Sequence, residues 1–150
     1  MAEREPTLNL SELFHSDETA WLEHMATLAA TGDTAPMDLR NLSEYLSDMA
    51  RRDKRETLQR LATLLVHLLK WEHQPAKRSR SWDLTIQEQR EELEDLLGSR
   101  VLRNHAEQEL ARAYQKAVRR VAVETELPEE TFPKKSPYTL EQVLGGCSAA

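Results

Sequence analysis

The sequence predicts an all-α fold, a single helical bundle of about five helices closed by an extended, Pro-containing C-terminal strap. Three observations predict it. Gly occurs only four times and Pro six times in 150 residues, which leaves little turn material for a sheet. Apolar residues recur at the spacing of one helix face through most of the chain. A composition of 39% apolar and 31% charged residues carries more apolar material than a disordered chain and suits a globular core. This length fits one domain over 1–150, with an ordered core expected at about 13–144 and frayed termini.

Ser16 stands as the cap of the first helix, with Asp17 and Glu18 in the opening turn, where the helix dipole favours negative charge. Trp21, Leu22, Met25, Leu28 and Ala29 form its inner face, and Gly32 ends it. After the loop Thr31–Pro36, Asp38 caps a second helix with apolar positions Leu39, Leu42, Leu46 and Met49. In the charged run that follows, Asp53 and Glu56 have capping-box spacing. That predicts a break or kink before the third helix, with one continuous helix as the alternative.

The third helix, about 54–73, is the most apolar. At about 100° per residue, the positions from Leu58 to Trp71 cover roughly 220° of its circumference, an arc that suits a central helix with several neighbours. The remaining strip is Arg60, Thr63, His67, Lys70 and Gln74. Pro75 stops the helix, and a basic loop leads to a fourth, about 81–97, with Trp82, Ile86, Leu93, Leu96 and Leu97 inward and Gly98 at its end. Trp71 and Trp82 are expected as core anchors. A fifth helix, about 99–125, turns Ala106, Leu110, Ala113, Tyr114, Ala117 and Val121 inward, and Leu127-Pro128 closes it. The tail carries Phe132, Pro133, Pro137 and Tyr138 and predicts a packed strap with one helical turn at 139–144.

The net charge of −6 disfavours nucleic acid and anionic membrane as partners, although a local basic cluster still suits a small anion. The lone Cys147 excludes an internal disulfide and a Cys-based zinc site. The opening MAEREPTLNL lacks the apolar core of a signal peptide, and the densest apolar stretch, Leu61–Leu69, is too short to span a bilayer. A cytoplasmic protein without membrane contact is therefore expected. No glycine-rich phosphate loop, nucleophile elbow or zinc-spaced Cys/His cluster occurs, so no cofactor and no metal are expected.

Candidate site residues are those that break the helical pattern. Gln89 falls within the apolar arc of the fourth helix, and Glu124 continues the inward row of the fifth into its last turn. A buried amide or carboxylate needs partners, and Lys70, Arg78, Arg80 and Arg90 are the cations considered for Glu124. His67 lies on the polar strip with Lys70 and Gln74, as an acid–base group facing a cleft or as part of a solvated face. The loop Lys77–Ser81 precedes a helix N-terminus and fits an anion, or Arg80 simply pairs with Glu124 or Glu44.

The stretch His67-Leu-Leu-Lys-Trp71, followed by Gln74-Pro75, Arg78-Ser-Arg-Ser-Trp82, Thr85-Ile86 and Gln89-Arg90, resembles the bacterial family catalogued as domain of unknown function 29. Leu39, Asn41-Leu42, Glu44, Glu124-Thr125, Leu127-Pro128, Thr131-Phe132-Pro133 and Pro137-Tyr-Thr-Leu140 extend the likeness from about Leu13 to Leu144. The resemblance implies a small all-helical fold with no assigned activity. It also implies that His67, Lys70, Trp71, Gln74, Arg80, Trp82, Gln89 and Arg90 stand at motif positions. The chain departs from the pattern at Asp17-Glu18-Thr19-Ala20-Trp21, usually an acidic-aromatic run. It departs again at Tyr45, where a second acid is common beside Glu44, and at Glu126, where Gly is common.

The expected function is a non-enzymatic module that binds another protein or a second copy of itself. The alternative is a small anionic-ligand or enzymatic site, in which Arg80 and Arg90 hold the anion, Gln89 orients it, and His67 or Glu124 acts as acid or base. Lys70, Gln74, Trp82 and Glu44 complete the candidate set. Nucleic-acid binding through Arg51–Arg55 and Lys77–Arg80 is disfavoured by the acidic total.

Overall fold

Side-chain oxygens placed just before the helices divide the chain into its elements. In the computed structural model, which describes residues 8–146, Asn9, Asp17, Ser79, Ser99 and Thr139 each accept a hydrogen bond from the exposed backbone N–H of the helix they precede. The helices are α1 Leu10–Ser16, α2 Glu18–Thr31, α3 Leu39–His73, α4 Arg80–Leu96, α5 Arg100–Thr125 and α6 Leu140–Val143, with single 3₁₀ turns at Pro75–Lys77 and Glu129–Thr131. No strand occurs among the described residues, and the fold is all-α as predicted. No helix among them is long and apolar enough to cross a membrane. The leading MAEREPT and Cys147 lie outside the described residues.

Two local expectations are corrected. Ser16 ends a short helix of its own, and Asp17 is the cap of α2, its carboxylate accepting from the Ala20 N–H at 3.1 Å. The expected break near Asp53 does not occur, because α3 is continuous. No Gly or Pro interrupts 39–73, Thr57 returns its hydroxyl to the Asp53 carbonyl, and Glu56 pairs forward with Arg60. The capping-box spacing there is fortuitous.

The chain forms two compact units, one up to Ala50 and one from Arg51 onward, and α3 contributes to both. In the first, Trp21 is fully buried and its indole N–H donates to Asp38 at 3.2 Å. Its ring meets Phe14 edge-on at 4.8 Å and Tyr45 at 5.8 Å. Burial would raise the Asp38 carboxyl, but hydrogen bonds from the Asn41 side chain and backbone and from Trp21, with His15 nearby, hold it below the usual carboxylate range. That buried cluster pins the start of α3 to α2. The expected inward positions Leu39 and Leu46 are instead 60% and 58% exposed.

In the second unit α4 runs antiparallel to α3, since Arg60 meets Gln89 and Glu92 while Lys70 meets Trp82. The short Leu97–Ser99 turn reverses the chain, and α5 runs parallel to α3, with Thr63 facing Arg120 and Lys70 facing Glu124. Leu61, Leu64, Leu65 and Leu69 of α3 pack with Leu93, Tyr114, Ala117 and Val121, so the wide apolar arc is central as predicted. The strap is tied down by Tyr114, whose hydroxyl donates to the Pro133 carbonyl at 2.6 Å, and by Phe132, buried with its ring edge-on to His73.

The end of α5 explains one departure from the family pattern. Glu126 is the only non-glycine among the described residues with positive φ, at 58°, the left-handed conformation that terminates helices. A Cβ there costs about 1–2 kcal/mol, against the 0.4–1 kcal/mol by which Gly favours the unfolded chain. Glu126→Gly therefore raises stability by roughly 0.5–1 kcal/mol in urea unfolding, with the denaturant slope unchanged.

Candidate functional site

The polar strip of α3 faces the neighbouring helices, and its side chains join them in one connected seam. Thr63, His67 and Lys70 succeed one another at three- and four-residue intervals, so they stand on one side of the helix. The His67 ring Nδ1 lies 2.9 Å from the Thr63 carbonyl; a carbonyl only accepts, so Nδ1 is the donor in this contact. The Thr63 hydroxyl accepts from the Arg120 guanidinium at 3.3 Å. Arg120 in turn donates to one Glu124 oxygen at 3.4 Å, and Lys70 reaches the other at 2.6 Å. The Lys70 ammonium also lies 5.6 Å above the Trp82 ring, which carries the seam to α4.

Lys70 is better shielded than the charged groups around it, its side chain 15% exposed against 36% for Glu124 and 51% for Arg120. Burial would raise the Glu124 carboxyl, but the Lys70 hydrogen bond and charge, followed by Arg120, outweigh it and hold the group below its ordinary value. A carboxylate fixed in its ionised form near neutral pH is a poor proton donor. The arrangement suits a fixed cross-link between helices.

His67, Lys70, Trp82 and Glu124 are thus brought together, and the cation on Glu124 is Lys70, with Arg120 added. Glu124 does not point inward as the α5 row suggested, because it lies past the last core turn, at an exposed helix end. The other candidates stand apart from the seam. Gln89 accepts from Arg60 at 3.3 Å. Arg90 donates to the Val143 carbonyl at 3.0 Å and fixes the end of the strap. Gln74 starts the Pro75–Lys77 turn, and Arg80 is the exposed first residue of α4. Glu44 is exposed in the first unit. Trp71 and Trp82 are both half-buried, and of the two Trp71 packs against the core cluster; Arg78 stacks over Trp71 at 4.9 Å and donates to its carbonyl at 2.7 Å.

Thr63 stands on the predicted polar strip but not among the candidates, and Arg120 is in neither, because nothing in one helix's pattern announces the register of another. A second group also escaped notice. Tyr138 has a buried hydroxyl that makes no hydrogen bond among the described residues, and burial, with the Glu72 charge nearby, pushes its phenol far above the ordinary range. Burial and Glu72 raise Tyr114 likewise. No group of three or more His, Cys, Asp or Glu among the described residues is placed to hold a metal.

The seam sets a pH dependence. Because folding depresses the Glu124 pKa, its contribution is fully present above the ordinary value of 4.5 and is lost as pH falls through the lower folded value. Lys70→Met lowers stability at pH 7 by about 0.2–1 kcal/mol, the range for partly exposed pairs. Urea titrations of wild type and variant should converge as the pH drops below about 4.5; a gap independent of pH would assign the loss to Lys70 packing instead.

Residues 13–146 match the family described as Domain of unknown function DUF29. No curated protein and no solved structure matches the chain. With the match covering nearly its whole length, the chain belongs to the DUF29 family.

Proposed function

We propose that this chain is a non-enzymatic interaction module, and that the outer apolar stripe of α3 in the first unit receives a helix from a protein partner. The single observation that carries the reading is the 60% and 58% exposure of Leu39 and Leu46. With Leu42 and Met49 they follow the three- and four-residue alternation of a coiled-coil seam. Asn41 and Tyr45 are the α3 side chains turned to α1 and α2, through Ser11 and Trp21, and they lie roughly opposite Leu39 around the helix. Leu39 and Leu46 are therefore apolar surface beyond what α1 and α2 cover. Exposed apolar residues at heptad spacing suit the apolar face of a partner helix.

The candidate residues give the enzymatic alternative less support. Glu124 and Arg90 are spent on contacts between elements, and Gln89 is joined to Arg60. A cytoplasmic location is part of the proposal.

The test places a photoreactive amino acid at position 46 in the source cell, with position 44 on the same helix as control. The expected result is a discrete cross-linked species at 46, absent at 44, and lost in Leu39→Glu. Leu39→Glu/Leu46→Glu should fold with stability within about 0.5 kcal/mol of wild type, since both sites are exposed. Equal cross-linking at 44 and 46 would overturn the reading.

A further inference from the structure

A second surface lies in the second unit and is independent of the Leu39–Leu46 stripe. Between α3 and α5 opens a cavity of about 780 Å³, with Leu58 and Ala62 as its apolar floor and Arg55, Lys116 and Arg120 around it. No carboxylate lines it. Arg120 is engaged with Thr63 and Glu124, whereas Arg55 and Lys116 are exposed and make no ion pair among the described residues. In a chain of net charge −6 this is a local concentration of the minority charge.

The outer face of α4 carries the complement. Leu84 is 53% exposed, and Glu88, Glu91 and Asp95 follow it at i+4, i+7 and i+11, along one line of the helix. All three carboxylates are exposed and make no ion pair among the described residues. Spaced three and four residues apart, they repel one another. At about 1.5 Å per residue, Arg55 to Thr63 spans roughly 12 Å and Leu84 to Glu91 roughly 10 Å, so the acidic stripe fits the length of the cavity.

We propose that the α3/α5 cavity of one copy docks the acidic α4 stripe of a second copy. Leu84 covers Leu58 and Ala62, while Glu88 and Glu91 meet Arg55 and Lys116. Donor stripe and acceptor cavity are different patches of the same chain. The contact is therefore head-to-tail, and it either closes into a reciprocal pair or continues to longer assemblies.

Equilibrium sedimentation of the full chain tests this at about 0.1 M and about 1 M salt, where charges act over about 10 Å and about 3 Å. The expected mass rises with protein concentration at the lower salt and falls to one chain at the higher. Arg55→Glu/Lys116→Glu weakens association by at least about tenfold, since like charges then face each other. Glu88→Arg/Glu91→Arg weakens it equally, although it brings the net charge of −6 closer to zero and would favour association on net charge alone. Mixing the two reversed variants, both checked for helix content by circular dichroism, restores association. Leu39→Glu/Leu46→Glu leaves it unchanged, which keeps this surface separate from the one above.

A wild type that remains one chain at the lower salt overturns the proposal, as does association that survives either reversal or fails to return on mixing. A single-chain wild type whose melting temperature rises with inorganic phosphate, but not in Lys116→Glu, also overturns it and gives the cavity to a free anion.

Discussion

The second unit depends on one constraint: α3 carries apolar side chains over more of its circumference than one neighbour can cover. Leu61, Leu64, Leu65 and Leu69 are all fully buried, yet they point in several directions around the helix. An arc of roughly 220° needs covering on at least two sides. That is why α4 and α5 both pack on α3 and why the strap is folded back across the unit. Phe132, Leu140 and Val143 are buried in the same cluster as the α3 leucines. Burying one such side chain is worth about 1.5–3 kcal/mol, so these three outweigh the pairing of any exposed charge.

The same constraint decides what the polar residues do. Whatever is left of the circumference of α3 is too narrow to be a free polar face, so Arg60, Thr63, His67 and Lys70 all lie at the margins of helix contacts and are only half exposed. A charged group at such a margin is stable only with a partner. Lys70 finds two, the Glu124 carboxylate and the Trp82 ring. Arg60 finds Glu56 within its own helix and Gln89 across the gap. The seam is therefore a consequence of packing, which a catalytic origin is not needed to explain.

How much of this was legible in the sequence follows from how far each signal reaches. Gly32, Pro75 and Ser99 act on backbone within a few residues, and each lies where the sequence puts a helix end, whereas Ser79, the cap of α4, was read as loop. The core arc of α3 was legible for the same reason, since periodicity is local. Asp53 and Glu56 misled because capping spacing counts only where the chain is already inclined to leave the helix; with no Gly or Pro nearby, it is not. Gln89 accepts from Arg60, a partner not legible in the sequence, because a partner across a gap depends on how two helices slide past one another. The Lys70–Glu124 pair has a separation of more than fifty residues in sequence, and only one of several basic candidates is within reach.

Glu126 shows what a departure from a family pattern can mean. Read as a sequence, Glu where the resemblance implies Gly is a departure without a cause. Its φ of 58° gives a plainer reason for the Gly, since the end of α5 needs a left-handed residue before Leu127-Pro128 can turn the chain back. The position is constrained by backbone geometry, and Glu is tolerated because the strap that follows is held at several points, by Tyr114 at Pro133, Gln115 at Lys134 and Arg90 at Val143. Arg90 belongs to the same account: its guanidinium group occupies the space against Gly145, where a Cβ would come within 3.1 Å of it. A motif residue and a glycine are thus matched to each other by contact. Both serve to close this fold, since the Arg90 guanidinium also holds the Val143 carbonyl.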